Sequence, residues 1–368
     1  MSMAIRKIAL NTGGGDAPGL NAVIRSAVHS ALHRGWECVG IRDGYNGILE
    51  PDEYPHNGII PLTHQSVRGI THLGGTILGT TNRGNPLNFP VRQSDGTYLE
   101  INRVDELLTR FHDEGIDALV AIGGDGSLKI ANAFVEKGFP VVGVPKTIDN
   151  DIFGTEVTFG FDSAVSFATE CIDRLHSTAE SHHRVIVVEV MGRYAGWIAL
   201  HAGVAGTADA ILIPEIPYSI DKIAAKVIER DERGRHFSII VVAEGAKPVD
   251  GETSIIGKSI GQAERLGGAG ERIVHQIEAL TGKESRLVVL GHLLRGGAPT
   301  TFDRLLSLRF GAAAVRSLAD GMSGVMVGLE ASQIHCVPFN EVAGKMRGVP
   351  TNSDIILTAK DLGITFGD

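Results

Sequence analysis

Cysteine is scarce in this chain. Cys38, Cys171 and Cys336 are the only three in 368 residues, far apart and without CxxC spacing, which excludes a disulfide scaffold. The residues after Met1 show no signal-peptide pattern, so the expectation is a cytoplasmic protein with reduced, mostly buried thiols. No apolar run approaches the roughly 20 residues that a membrane-spanning helix needs, and no membrane partner is expected. Basic charge is short as well: 34 Lys and Arg face 43 Asp and Glu, a formal charge of −9. A nucleic-acid partner, which normally shows as a basic patch, is therefore not expected. Small anions stay open, because local Arg, Lys and backbone N–H groups can converge on one. A Pro/Ser-rich linker, a short internal repeat and a low-complexity tract are all missing, which argues against domains tethered like beads.

What is present is an ordinary globular balance with nothing that suggests disorder. Apolar residues make up 43% and charged residues 21%. The length exceeds the usual size of one hydrophobic core, so two α/β domains are expected, with the chain crossing between them more than once. Many of the 47 glycines follow apolar runs directly, which suits strand-to-ligand turns.

The pattern along the chain is strand, loop, helix, repeated. Residues 7–11 (KIALN) form a strand that enters a glycine cluster. A helix follows over 17–34, its apolar Leu20, Val23, Ile24, Ala27, Val28, Ala31 and Leu32 at helical spacing, with Gly35 as a stop. Strands are predicted at 38–41, 118–122 and 141–144, then at 185–190, 210–213 and 238–243, with 287–290 as the final strong one. Helices are predicted around 130–135, 162–178 and 302–318, with others between the later strands. Continuous apolar strands alternating with helices indicate mainly parallel sheets covered on both faces, in two Rossmann-like lobes.

Ligands of such sheets bind beyond the carboxyl ends of the strands, and four of these ends carry unusual residues. The first is Thr12 through Gly19 (TGGGDAPG), where backbone N–H groups and a helix N-terminus suit a phosphate; a tight turn explains it as well. The second is Gly123 through Ser127 (GGDGS), with Asp125 placed between Gly124 and Gly126 to hold Mg²⁺ while phosphates pass the glycines; a plain turn explains it as well. The third, residues 145–151 (PKTIDND), gathers Lys146, Thr147, Asp149 and Asp151. Phosphoryl transfer to an alcohol needs a base for the hydroxyl proton and a metal against phosphate charge, tasks that Asp149 and Asp151 can divide. The fourth is Met191-Gly192-Arg193, where Arg193 is suited to charge building on a transferred group. Arg184, Arg286, His292 and Arg295 flank nearby strands; basic groups at both ends of the 287–290 strand suit a dianionic sugar phosphate, and a solvated ion pair explains each one singly.

GGGDAPGLNAVIR, GGDGS, PKTIDND, VVEVMGRYAGW and LGHLLRGG occur in this order between about Ile5 and about Gly328, and together they resemble the phosphofructokinase family. The resemblance implies two lobes with the active site in the cleft between them. Residues 1–160 plus 296–348 would form the donor lobe, and 161–295 plus 349–368 the sugar-phosphate lobe. It implies Mg²⁺-dependent transfer from ATP to the C1 hydroxyl of fructose 6-phosphate, in glycolysis. By position, Gly14 backs the donor phosphates, Asp125 holds the metal, and Arg83 contacts the transferred phosphate. Asp149 is the base, with Thr147 and Asp151 beside it, and Arg193 serves the transition state. Met191, Gly192 and Glu244 contact the sugar; Arg184, Arg286, His292 and Arg295 hold its 6-phosphate. Arg184 and Arg286 come from a neighbouring subunit in this family, which implies an obligate homo-oligomer, a tetramer.

Two departures bear on this picture. ATP users of the family usually carry Gly at both 126 and 146, and pyrophosphate users Asp and Lys; this chain has Gly126 and Lys146. An Asp at 126 would repel a nucleotide α-phosphate, so Gly126 favours ATP, with pyrophosphate as the alternative donor. In the family's intersubunit effector pocket Arg25 is kept, but His29 stands where an arginine is usual and the basic cluster near Arg235 and His236 is thinned. Two rival functions are weaker. A GGDG-loop kinase of NAD or lipids leaves PKTIDND and the MGR segment unexplained. A catalytically silent sensor of sugar phosphate or nucleotide would be signalled by loss of Asp125, Asp149 or Arg193, and all three are present. A second sugar such as sedoheptulose 7-phosphate stays open.

Overall fold

The computed structural model describes residues 5–82, 84–257 and 265–368. Buried apolar runs form the first strands: β1 (Lys7–Thr12), β2 (Glu37–Ile41) and the short β3 (Ile59–Pro61). A peripheral hairpin, β4 (Phe89–Arg92) and β5 (Tyr98–Ile101), precedes β6 (Ala118–Gly123) and β7 (Val141–Pro145), whose residues are all buried. The chain then lays down β8 (Val185–Val190), β9 (Ala210–Leu212) and β10 (Ser238–Ala243). A second small hairpin, β11 (Ile255–Gly257) with β12 (Arg265–Leu266), leads to β13 (Ser285–Val289). It finally returns with β14 (Val325–Glu330) and β15 (Gln333–Pro338).

Among the described residues these strands make a seven-stranded sheet, β15-β14-β7-β6-β1-β2-β3, and a four-stranded sheet, β13-β8-β10-β9. The smaller sheet is parallel throughout, and the larger is parallel except for β3 and β15 at its edges. The protein is thus an α/β fold built on a large, mainly parallel sheet. Buried strands need cover on both faces, and the helices supply it. Leu20–His33 and Thr301–Ala319 pack together on one face of the large sheet, close enough that a Cβ on Gly311 would lie 2.5 Å from the Val23 carbonyl oxygen.

Most predicted elements are present, with shifted ends. The helix expected from residue 17 begins at Leu20, because Pro18 is followed by Gly19 at φ 107°, a left-handed conformation that stops the helix from extending backward. The helix expected over 162–178 runs on to His182. The strand expected at 287–290 covers Ser285–Val289, pairing Ser285 with Val185; Leu290 already enters a 3₁₀ turn before Gly291. It is not the last strand, since β14 and β15 follow. Cys38 is buried, but Cys171 and Cys336 are only half-buried, and all three are free thiols. No helix among the described residues is long and apolar enough to cross a membrane.

The order of strands places the ligand side. The chain leaves β1 toward β2 on one flank and continues with β6 on the other, so a crevice opens beyond the carboxyl ends of β1 and β6. In the smaller sheet β8 lies between β10 and β13, and the segments after these strands emerge at a common edge.

Candidate active site

The glycine loop after β1 is shaped by close approach. Gly13 donates its N–H to the Ile122 carbonyl at 3.0 Å, and Gly14 donates to Thr81 at 3.1 Å. These two N–H groups therefore do not face an anion, contrary to the expectation of a backbone cradle at that point. Cations stand there instead. Lys146 donates from Nζ to the Gly15 carbonyl, and a Cβ on Gly14 would lie 3.3 Å from that nitrogen. Arg295 donates from Nη1 to the Asp16 carbonyl at 3.0 Å, and packs so closely that a Cβ on Gly15 would meet it at 2.8 Å.

The second loop opens the helix Asp125–Glu136. Asp125 accepts the Gly344 N–H at 2.8 Å and pairs with Lys129 at 2.7 Å one helical turn later. The Ser127 side chain lies against both glycine loops, where a Cβ on Gly13 or Gly123 would meet its hydroxyl at 2.6 or 2.1 Å. Gly126 differs: it is exposed, and a Cβ there would meet nothing within 4 Å.

The loop after β7 buries its polar side chains. Lys146, Thr147, Asp149 and Asn150 are all buried. The turn is built locally: Thr147 Oγ1 accepts the Asp149 N–H at 3.0 Å, and Asn150 sits at φ 53°. Asn150 Oδ1 accepts the Thr158 N–H at 3.0 Å, while the Thr158 hydroxyl donates to the Thr147 carbonyl at 2.7 Å. Asp149 Oδ1 is left buried without a hydrogen-bond partner.

Across from this loop, the segment after β8 turns sharply. Gly192 has φ 146° and Arg193 φ 51°, and Arg193 donates its N–H to Glu244 Oε1 at 3.0 Å. A Cβ on Gly245 would overlap the Arg193 carbonyl oxygen at 1.9 Å, so only glycine fits beside that turn. Met191 is half-buried against the smaller sheet's core.

The groups feel one another electrostatically. Burial, then the neighbouring Asp149 charge, raises the Asp151 carboxyl, with Arg193 opposing and Asp125 adding to it. Glu244 is also raised, chiefly by burial and in part by Asp149. Lys146 is pushed down to about 8 by burial and then by Arg295, with Asp149, Asp16 and Asp151 acting against the shift. Asp125, Asp149 and Asp151 from one loop pair, with Arg193 and Glu244 from the other sheet, thus form a single interacting set. Among the described residues no group of three His, Cys, Asp or Glu side chains is gathered tightly enough to cage a metal. Mg²⁺ does not require such a cage, since it is bound by one or two carboxylates plus phosphate oxygens and water. Asp125 beside mutually repelling carboxylates, one with an unpartnered oxygen, fits that donor set.

A family model for Phosphofructokinase matches residues 7–318. The chain belongs to the phosphofructokinase family. It is 51% identical to the ATP-dependent 6-phosphofructokinase of Chloroflexus aurantiacus, over 100% of this chain and 99% of that protein. It is 48% identical to the pyrophosphate–fructose 6-phosphate 1-phosphotransferase of Amycolatopsis mediterranei, covering 94% and 96%. The T-state crystal structure of Pichia pastoris phosphofructokinase matches with a TM-score of 0.77 and 31% identity, over 93% of this chain and 36% of that one. The chain therefore spans about a third of the Pichia protein's length.

Within this phosphofructokinase frame, two expected residues stand apart from the rest. Arg184 and Arg286 lie at the amino ends of β8 and β13, where both hold Glu284, Arg184 at 2.9 Å. Strands of five and six residues are about 17–20 Å long, so a sugar phosphate near Met191 cannot also meet these arginines of the same chain. Basic groups at both ends of one strand do not form one pocket. His292 is exposed in the 3₁₀ turn Gly291–Arg295 at the carboxyl end. Arg83 lies outside the described residues. Motif reading did not find Asn150, Thr158 and Gly245, which shape the loops. Asn150 had a signal, an Asn between two Asp residues that tolerates a left-handed turn, and so had Gly245, directly after Glu244; Thr158 had none.

Proposed function

We propose that this phosphofructokinase transfers the γ-phosphoryl group of ATP to the C1 hydroxyl of fructose 6-phosphate. The observation that carries this reading is Asp149, buried where the two loop systems meet and keeping one oxygen without a partner. That oxygen would accept the hydroxyl proton as the sugar oxygen attacks phosphorus. Lys146, against the first glycine loop, would balance donor phosphate charge, and Arg193 the charge that builds on the transferred group. Glu244 and the Met191-Gly192 turn would orient the sugar, with His292 and Arg295 toward its 6-phosphate. Asp125 would hold Mg²⁺, which when bound offsets phosphate charge and aligns the donor.

Residues 1–160 plus 296–348 would serve as the donor lobe and 161–295 plus 349–368 as the sugar lobe. Supporting this, β14 and β15 complete the larger sheet, while Ile356, Ala359 and Phe366 lie in the smaller sheet's core. The position of Arg184 and Arg286 favours their use by a neighbouring subunit in a homotetramer. The open space at Gly126 favours ATP. A specific observation supports pyrophosphate as the second reading: Lys146 is present, and the Amycolatopsis relative of 48% identity is named for that donor.

The test is formation of fructose 1,6-bisphosphate from fructose 6-phosphate and Mg²⁺ with each donor alone, in the wild type and in Gly126→Asp. The expected result is turnover with ATP, and a selective loss with ATP in the variant, which the empty surroundings of Gly126 allow to fold. Turnover with pyrophosphate alone would reverse the donor assignment and leave the base and sugar site standing.

A further inference from the structure

The segment 346–349 lies beyond the residues matched by the family model and touches both loop systems of the site. Met346 forms an antiparallel bridge with Ile152. Arg347 donates its backbone N–H to the Asp151 carbonyl at 2.8 Å. Its Nη1 donates to the Glu156 carbonyl at 2.7 Å and to the Asn150 carbonyl at 3.4 Å. On its other side the guanidinium carbon stands 4.4 Å from the centre of the Trp197 ring, whose Nε1 donates to the Arg347 carbonyl at 2.9 Å. Trp197 follows Arg193 by four residues. Two residues further along, Val349 donates its N–H to Glu215 Oε1 at 2.8 Å, and Glu215 accepts the Gly196 N–H with both oxygens at 3.1 Å. One short strap is therefore bonded to the loop that carries Asp149 and to the turn that carries Arg193.

We infer that Arg347 is a positioning residue, which fixes the separation between Asp149 and Arg193. A planar guanidinium can bond two carbonyls of the loop and stack on the indole at the same time, and an ammonium cannot. Misplacement of reacting groups by about 1 Å can cost about a hundredfold in rate. A strap that acts on geometry rather than on substrate contact alters kcat and leaves KM nearly unchanged. The inference rests on Asp149 and Arg193 being the reacting groups.

The experiment compares Arg347→Ala and Arg347→Lys in full-length protein carrying Trp36→Phe, which leaves Trp197 as the sole tryptophan. Steady-state kinetics, thermal melting and Trp197 emission are recorded for each, with Asp149→Asn alongside. The expected result for Arg347→Ala is a kcat lower by about a hundredfold, KM for fructose 6-phosphate within about threefold, and red-shifted Trp197 emission. Arg347→Lys should fall between it and the parent. A folded Arg347→Ala with kcat within about twofold of the parent, or with its loss confined to KM, overturns the inference. If the Ala variant does not fold, Arg347→Lys decides: full kcat overturns, and a reduced kcat at unchanged KM and melting temperature supports. An active Asp149→Asn would instead remove the base assignment. An inactive one beside a fully active Arg347→Ala would remove the strap alone.

Discussion

Asp149 and Lys146 are buried charged groups within three residues of each other, an arrangement that a merely structural loop would replace with apolar packing. Asp149→Asn keeps the shape of the side chain and the Thr147 turn while removing the base. It should bind fructose 6-phosphate normally, as measured by calorimetry, and lose about 10²–10⁴ in kcat. Lys146 gives a pH signature. Its folded-state pKa is pushed down to about 8, so it is charged below that pH and neutral above it. The donor KM should accordingly rise above about pH 8, and in Lys146→Met this rise should vanish while the KM is high throughout. A donor KM that is flat up to pH 9.5 in the wild type would remove Lys146 from the donor site. At this scale the sequence was legible wherever polar residues cluster after an apolar strand, as in 145–151. It was silent on Arg347, a single arginine with no neighbouring motif, whose role arises only because the chain returns to the loop from some two hundred residues away.

Elements depend on what the glycines leave out. The Arg193 turn rests its carbonyl directly on Gly245, with no space for even a methyl group. Gly245→Ala should displace that turn, lowering kcat by about tenfold or more and melting temperature together. Gly126→Ala, placed in open space, is the control and should leave melting unchanged. Strand and helix existence followed from hydrophobic period, because strands such as β6 and β7 are buried throughout and read as unbroken apolar runs. The β14–β15 hairpin escaped for a chemical reason. Its two-residue turn is Ala331-Ser332, at φ 45° and 65°, where Asn-Gly would have announced a hairpin. The start of the first helix was misplaced for the opposite reason: Pro18 and Gly19 suit a first turn on paper, but Gly19 is left-handed.

At the scale of the molecule, Arg184 and Arg286 face away from their own chain's site, and the resemblance assigns them to a neighbour's. Hybrid formation tests this directly. Asp149→Asn and Arg286→Ala subunits, each inactive alone, should regain a substantial part of wild-type activity when mixed by dissociation and reassembly, because some sites then combine an intact base with an intact arginine. No recovery in hybrids shown to form would mean that each chain builds its site unaided. The two-sheet architecture was readable in the alternation of strands and helices. That 296–348 would rejoin 1–160 was an expectation from the family resemblance; the strand pattern alone did not place the returning strands, since β14 pairs with β7 across some 180 residues.

That return has a mechanical consequence. The chain passes between the sheets near Gly160, near Thr300 and again at 347–349. The first two crossings are stitched together where Thr300 bonds Ser163 and Asp162, and the third is tied to the first lobe through Glu156. A single crossing would act as a hinge; here there are three, the first two bonded to each other and the third bonded to Glu156. Three crossings therefore leave the larger sheet less freedom to swing against the smaller one than a single hinge would.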